Sequence, residues 1–185
     1  MRNIKLTIEY DGKEYNGWQK QPNKLNIQGE IERAIQNITG KQVELIGSGR
    51  TDAGVHAFGQ VANFKIDSDF PIEKMAIAIN SQLKKSICIK KTEEVPQEFH
   101  SRYNCHSKTY QYVIDNSEQG TAIYRGLTFH VPQKLNVEKM QKIEKNQKKL
   151  LTFPGTCSNI LLVLVSATDS LQSTMREWLS GGAPP

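Results

Sequence analysis

The sequence predicts an α+β fold in which an antiparallel sheet carries helices on one side. Three observations support this. Apolar residues alternate with period two near the N-terminus and change to a helical period by residue 27. The order strand, helix, strand, strand, helix, strand is completed within about the first 95 residues. A glycine-bounded loop lies between two of the strands. Ile4, Leu6 and Ile8 alternate with Lys5, Thr7 and Glu9, so Arg2 to Tyr10 reads as a half-buried strand. Asp11 to Asn26, with Gly12, Gly17 and Pro22, reads as a polar loop. Ile27, Ile31, Ala34, Ile35 and Ile38 form one helical stripe, with Asn26 as N-cap and Gly40 as stop. Val43 to Ile46 is a short strand entering the glycine loop and Gln60 to Ile66 the strand leaving it. Pro71 opens a helix with Ile72, Met75, Ala76 and Ile79 on one face, and Ile87 to Lys91 closes the series as a strand. This is the ferredoxin-like βαββαβ pattern, assigned to residues 1–97.

A second, incomplete α/β domain is expected over residues 98–149. Its elements are strands at Ser107 to Ile114 and Leu127 to Val131 and a lysine-rich helix at Val137 to Leu150. Composition then changes abruptly. Residues 150–185 hold a single basic residue, Arg176, against Asp169 and Glu177, so this tail is −1 while the rest of the chain is +6. The tail reads as a linker, a hydrophobic hairpin or a stretch out of frame.

The 185 residues are enough for one ordinary domain or two small ones. A net charge of +5 and a pI near 9.0 favour an anionic partner. Cys88, Cys105 and Cys157 are far apart and odd in number, as expected of reduced thiols in the cytoplasm. The N-terminus runs straight into a strand pattern, which argues against a signal peptide. The longest apolar run, Ile160 to Val165, falls far short of the roughly 20 residues a membrane helix needs.

The segment Gly47-Ser48-Gly49-Arg50-Thr51-Asp52-Ala53-Gly54-Val55-His56-Ala57 carries the chemistry. It lacks Gly-Lys-Ser/Thr, its glycines do not fit G-x-G-x-x-G, and it leads into a strand, so it is neither kind of phosphate loop. His56, His100, His106 and His130 have no ligand-like spacing with the cysteines, which argues against a metal site. No Ser-His-Asp arrangement can be inferred from spacing alone. His56 and His106 read as polar surface or hydrogen-bonding residues. What remains is Asp52 on a tight loop beside Arg50, whose charge favours an ionised carboxylate. Such a carboxylate serves as nucleophile or base at an electron-poor carbon, as in glycosyl chemistry. An isolated Arg-x-Asp is usually a surface salt bridge or N-cap.

Gly49 to Ala57, followed by Gly59-Gln60-Val61 and Phe64, resembles the active-site motif of the TruA-type tRNA pseudouridine synthases. Tyr10-Asp11-Gly12 with Tyr15-Asn16-Gly17-Trp18-Gln19 and Gln21 resembles that family's first strand and loop. Phe99-His100-Ser101-Arg102-Tyr103 and Lys108-Thr109-Tyr110-Gln111-Tyr112 resemble the start of its second domain. The resemblance covers about residues 2–142. It implies the pseudouridine synthase fold and isomerisation of uridine to pseudouridine at positions 38–40, in the anticodon stem-loop of tRNA, without cofactor or metal. Asp52 would be the catalytic residue, with Arg50, Thr51, His56 and Tyr110 at the substrate, Tyr110 by stacking on the uracil. Tyr110 and Tyr112 share a strand face, so a core role is the competing reading. Lys20, Lys24, Arg102 and Lys108 are candidate RNA contacts. The run Lys139, Lys142, Lys145, Lys148 and Lys149 reads as a basic helix face, solvated or RNA-facing. The family acts as a homodimer. Its His-Asp-Phe-like segment is missing here, and Ser173-Thr174-Met175-Arg176 only faintly matches the segment whose arginine pairs with the catalytic aspartate. The alternative to an active enzyme is a truncated, inactive RNA-binding remnant.

Overall fold

The computed structural model describes residues 1–108, 110–136 and Met140. The chain divides into two compact units, Met1–Cys105 and His106–Pro185.

In the first unit β1 (Arg2–Tyr10), α1 (Ile27–Thr39), β2 (Ile46–Gly47), β3 (Ala57–Ile66), α2 (Ile72–Gln82) and β4 (Ile87–Val95) follow in the expected order. The sheet order is β2-β3-β1-β4, and every neighbouring pair is antiparallel. The alternation in β1 puts Ile4, Leu6 and Ile8 fully inside, where they join Ala62, Phe64, Ile87 and Ile89 in one core. Each such side chain contributes roughly 1.5–3 kcal/mol of burial. The α1 stripe closes that core, with Ile27, Ile31, Ala34 and Ile35 buried and Ile38 packed at its margin. Asn26 caps the helix, its side chain accepting from the Gly29 N–H at 2.8 Å, and Gly40 ends it in the left-handed conformation at φ 69°. In α2, Met75 and Ile79 are buried, and Ile72 and Ala76 pack at the edge.

Three boundaries differ from expectation for physical reasons. β4 runs to Val95 rather than Lys91, because its pairing with β1 continues to Asn3↔Val95. β2 is Ile46–Gly47 rather than Val43 to Ile46, because side chains of α1 hold both backbone groups of Leu45. The Leu45 N–H donates to Glu32 Oε1 at 3.0 Å, and its carbonyl accepts from Gln28 Nε2 at 3.2 Å. β3 begins earlier than Gln60, at Ala57, and its register with β1 shifts between Ile8↔Gln60 and Tyr10↔Ala57. This bulge lies where the strand leaves the glycine loop, a usual place for one.

On the sheet face away from the core, Asn3 and Asn63 are buried. Asn3 Nδ2 donates to the Pro96 and Phe99 carbonyls at 2.9 Å each, and Asn63 Oδ1 accepts from the Ser101 N–H at 2.9 Å. Residues 98–101, expected to begin the second domain, therefore belong to the packing of the first unit.

In the second unit, β5 (Ile114–Asp115) and β6 (Phe129–His130) pair in parallel. The longer strands expected at Ser107 to Ile114 and Leu127 to Val131 shrink to these two pairs. Tyr110 and Tyr112, on one face of the expected strand, are 41% and 62% exposed rather than core residues. The polar turn around Asp115 supplies local order instead. Asp115 is buried, and its Oδ1 accepts from the Ser117 N–H at 3.1 Å and hydroxyl at 2.7 Å. The Ser117 hydroxyl, then its N–H, hold the Asp115 carboxyl below its ordinary range. Apart from Met140, the expected helix Val137 to Leu150, with its lysine run, lies outside the described residues, as do Thr109 and the tail with Arg176.

Candidate active site

The glycine loop joins β2 to β3 and is closed at its neck by two bonds. The Ser48 N–H donates to the Val61 carbonyl at 2.8 Å, and Gln60 Nε2 donates to the Gly49 carbonyl at 2.7 Å. Its tip is a turn in which the Val55 N–H returns to the Asp52 carbonyl at 3.2 Å, with Gly54 at φ 80°. Asp52 is exposed on this tip.

The tip is held from below by the loop that follows β1. The Trp18 N–H donates to the Thr51 carbonyl at 3.0 Å, and the Gly54 N–H to the Tyr15 carbonyl at 3.3 Å. The Tyr10 and Thr51 hydroxyls share a hydrogen bond of 2.8 Å. Backbones meet here so closely that a Cβ on Gly12 would run into the Val55 carbonyl, and one on Gly17 into the Thr51 carbonyl. Gly17 also sits at φ 85°, which side chains rarely tolerate. The Trp18 ring, 1% exposed, lies against Gly47, where a Cβ would come within 2.7 Å of the indole. Tyr10 and Trp18 are in ring contact at 6.0 Å. Burial pushes the Tyr10 phenol above its usual pKa of 10.0, against the lowering effect of its bond to Thr51.

Thr51 thus points inward to Tyr10, and its charged neighbours face solvent. Arg50 is exposed and makes no ion pair with Asp52; among the described residues neither side chain has a hydrogen-bond or ionic partner. His56 Nδ1 lies 3.0 Å from Asp11 Oδ1 and ties the far side of the loop to the end of β1. Of the candidate basic residues, Lys20 pairs with Glu32 at 2.9 Å while its side chain stays 63% exposed. Lys24 is exposed on the same loop. Arg102 is exposed on a turn in which its N–H and that of Tyr103 donate to His100 Nδ1 at 3.2 and 3.3 Å. Lys108 and the exposed Tyr110 belong to the second unit. The described residues contain no cluster of three or more metal-ligating side chains. No helix among them is long and apolar enough to cross a membrane.

The sequence reading assigned no role to Tyr10, Gly12, Gly17 and Trp18, although together they build the cradle. The signal was present in Tyr10-Asp11-Gly12 and Gly17-Trp18, two glycines next to large aromatics in an otherwise polar loop.

The site is therefore a carboxylate offered to solvent on a braced loop, on an α+β scaffold. Comparison with known proteins identifies the family. The family model described as tRNA pseudouridine synthase matches residues 6–104, more than half of the chain, and the chain belongs to this family. It is 53% identical over 142 residues to tRNA pseudouridine synthase A of Caldicellulosiruptor bescii, covering 77% of this chain and 58% of that protein. The protein of the same name from Caldicellulosiruptor saccharolyticus is 54% identical over the same shares. tRNA pseudouridine synthase A 2 of Clostridium perfringens is 51% identical over 160 residues, covering 84% of this chain and 66% of that protein. The chain thus spans 58–66% of the length of these relatives.

Proposed function

We propose that the protein isomerises uridine to pseudouridine in tRNA, with Asp52 as the catalytic carboxylate. The observation that carries this reading is the exposed, unpartnered Asp52 on a loop braced by Tyr10, Trp18 and Gly17, in a chain of this family. The reaction breaks the bond between uracil N1 and ribose, turns the base, and joins the same ribose carbon to uracil C5, releasing the C5 proton. Either part for Asp52, attack on the sugar carbon or proton removal there, needs a carboxylate that a bulky substrate can approach. The target base must leave its stack, at a cost of a few kcal/mol. Arg50, free to reach a phosphate or the vacated space, and Tyr110, stacking for about 1–3 kcal/mol, would offset that cost. Thr51 and His56 shape the loop at the substrate. Lys20, Lys24, Arg102 and Lys108 supply phosphate contacts, which weaken as salt rises.

In this reading the βαββαβ unit with sheet order β2-β3-β1-β4 is the ferredoxin-like half of the pseudouridine synthase fold, and residues 106 onward begin the second. The substrate is the anticodon stem-loop at positions 38–40, the working form is a homodimer, the compartment is the cytoplasm, and no cofactor takes part. The test is tritium release from tRNA labelled at uracil C5. The proposal expects release by the wild type and none by Asp52→Ala. Salt-sensitive tRNA binding without release by the wild type would replace it with the reading of an RNA-binding remnant.

A further inference from the structure

A buried polar network lies beneath the loop, one layer removed from Asp52, and the proposed chemistry does not use it. Its centre is Glu32 on the second turn of α1, 8% exposed. Glu32 Oε1 accepts from the Leu45 N–H at 3.0 Å and from Gln28 Nε2 at 2.9 Å, and Oε2 accepts from Lys20 Nζ at 2.9 Å. Gln28, 6% exposed, uses its other atoms in the same way. Its Nε2 also donates to the Leu45 carbonyl, and its Oε1 accepts from the Lys20 N–H at 3.1 Å and Gln19 Nε2 at 2.9 Å. A carboxylate this far from water is tolerated only when its lone pairs are filled.

What the network joins matters more than its stability. Leu45 is the residue before β2, whose two ladder residues, with the two bonds at the neck, keep the near end of the loop in place. On the other side, the first two amides of α1 are spent on the cradle. The Ile27 N–H donates to the Gly17 carbonyl at 3.2 Å and the Gln28 N–H to the Trp18 carbonyl at 3.0 Å. These N–H groups have no partner within the helix, so the cradle loop caps α1 with its own carbonyls. Trp18 then reaches the entrance of the loop at Gly47 through its ring and the base of its tip at Thr51 through its N–H. One carboxylate therefore sets the distance between α1, the entrance of the loop and the floor beneath Asp52.

We propose that Glu32, acting with Gln28, is the positioning residue of the Asp52 loop. This rests on the function proposed above, and it takes from Lys20 the purely RNA-facing role the sequence suggested. Glu32→Gln keeps the shape but places an amide N–H opposite Lys20 or Leu45, where the native oxygen accepts. The expected result is a fall in kcat of about tenfold with KM for tRNA within about twofold. Hydrogen exchange should quicken about tenfold in peptides covering residues 45–56, and not in those covering β1 or β4. Asn37→Ala removes an exposed contact of α1, with Gln82 at 3.4 Å, and should leave both readings unchanged. Exchange that stays native over 45–56 in Glu32→Gln, or that rises evenly over residues 1–105, would overturn the proposal. Exchange is read on the protein alone, so it stands even if the wild type releases no tritium, which would count against the proposed function instead.

Discussion

The two units solve the same problem, holding a short irregular segment in place, by opposite means. Around Asp52 the first unit fixes a loop by backbone bonds from β3 and from a cradle loop, and the cradle in turn is held by the first amides of α1. Around Asp115 the second unit has two pairs of strand residues and a turn that ties itself together through one serine. The first arrangement leaves the Asp52 side chain with no structural duty, and the second commits Asp115 Oδ1 to structure. A carboxylate available for chemistry is one whose neighbours do the holding.

The largest effect is expected where the first arrangement is densest. Gly17→Ala forces a side chain into a left-handed position, at roughly 1–3 kcal/mol, and into the Thr51 carbonyl as well. A denaturant melt should show a loss at or above the top of that range, and tRNA modification should disappear with it. Next comes the second unit. Ser117→Ala removes a hydrogen bond to a buried charged group, worth about 1.5–3 kcal/mol. Limited proteolysis should quicken within residues 106–136 while protection of 1–105 is unchanged; equal loss in both would break the contrast between them. Tyr10→Phe deletes one buried hydroxyl pair and should cost about 1 kcal/mol by the same melt.

The smallest effect is on the open face of the sheet, where Glu93 bonds Lys5 at 2.8 Å and Lys91 at 2.9 Å. Lys5, then Lys91, hold the Glu93 carboxyl below its ordinary 4.5. A lowered carboxylate stabilises the fold above its unfolded pKa, and that contribution is lost as pH falls through the lower folded value. Glu93→Gln should therefore cost less than about 1 kcal/mol at neutral pH, and the gap from wild type should close below pH 4.5. A gap that widens in acid would contradict the pairing.

The first unit was legible because each of its elements has a pattern that packing enforces. β1, α1 and α2 keep the expected faces, since a shift of one residue would expose Ile4, Leu6 and Ile8 or unseat Ile31 and Ile35. Asn26 and Gly40 marked the ends of α1 by chemistry that acts within a few residues. The family was legible too, from an unbroken motif around Asp52. The relations between distant segments were not. Leu45 leaves the strand because Glu32 and Gln28 reach it from a helix, and Gly12 is needed because Val55 arrives there. Periodicity cannot report a partner far away in sequence. In the second unit Tyr110 and Tyr112 alternate like one face of a strand, yet the ladder there holds only Ile114–Asp115.

The central claim is that Asp52 is presented by the fold and takes no part in holding it. Asp52→Asn, measured for thermal melting and for tritium release from uracil-labelled tRNA on one preparation, tests both halves together. The account predicts a melting temperature within about 2 °C of wild type, as for other surface substitutions within ±0.5 kcal/mol, and no release above background. Release that persists, or a melt lowered by many degrees, would contradict it.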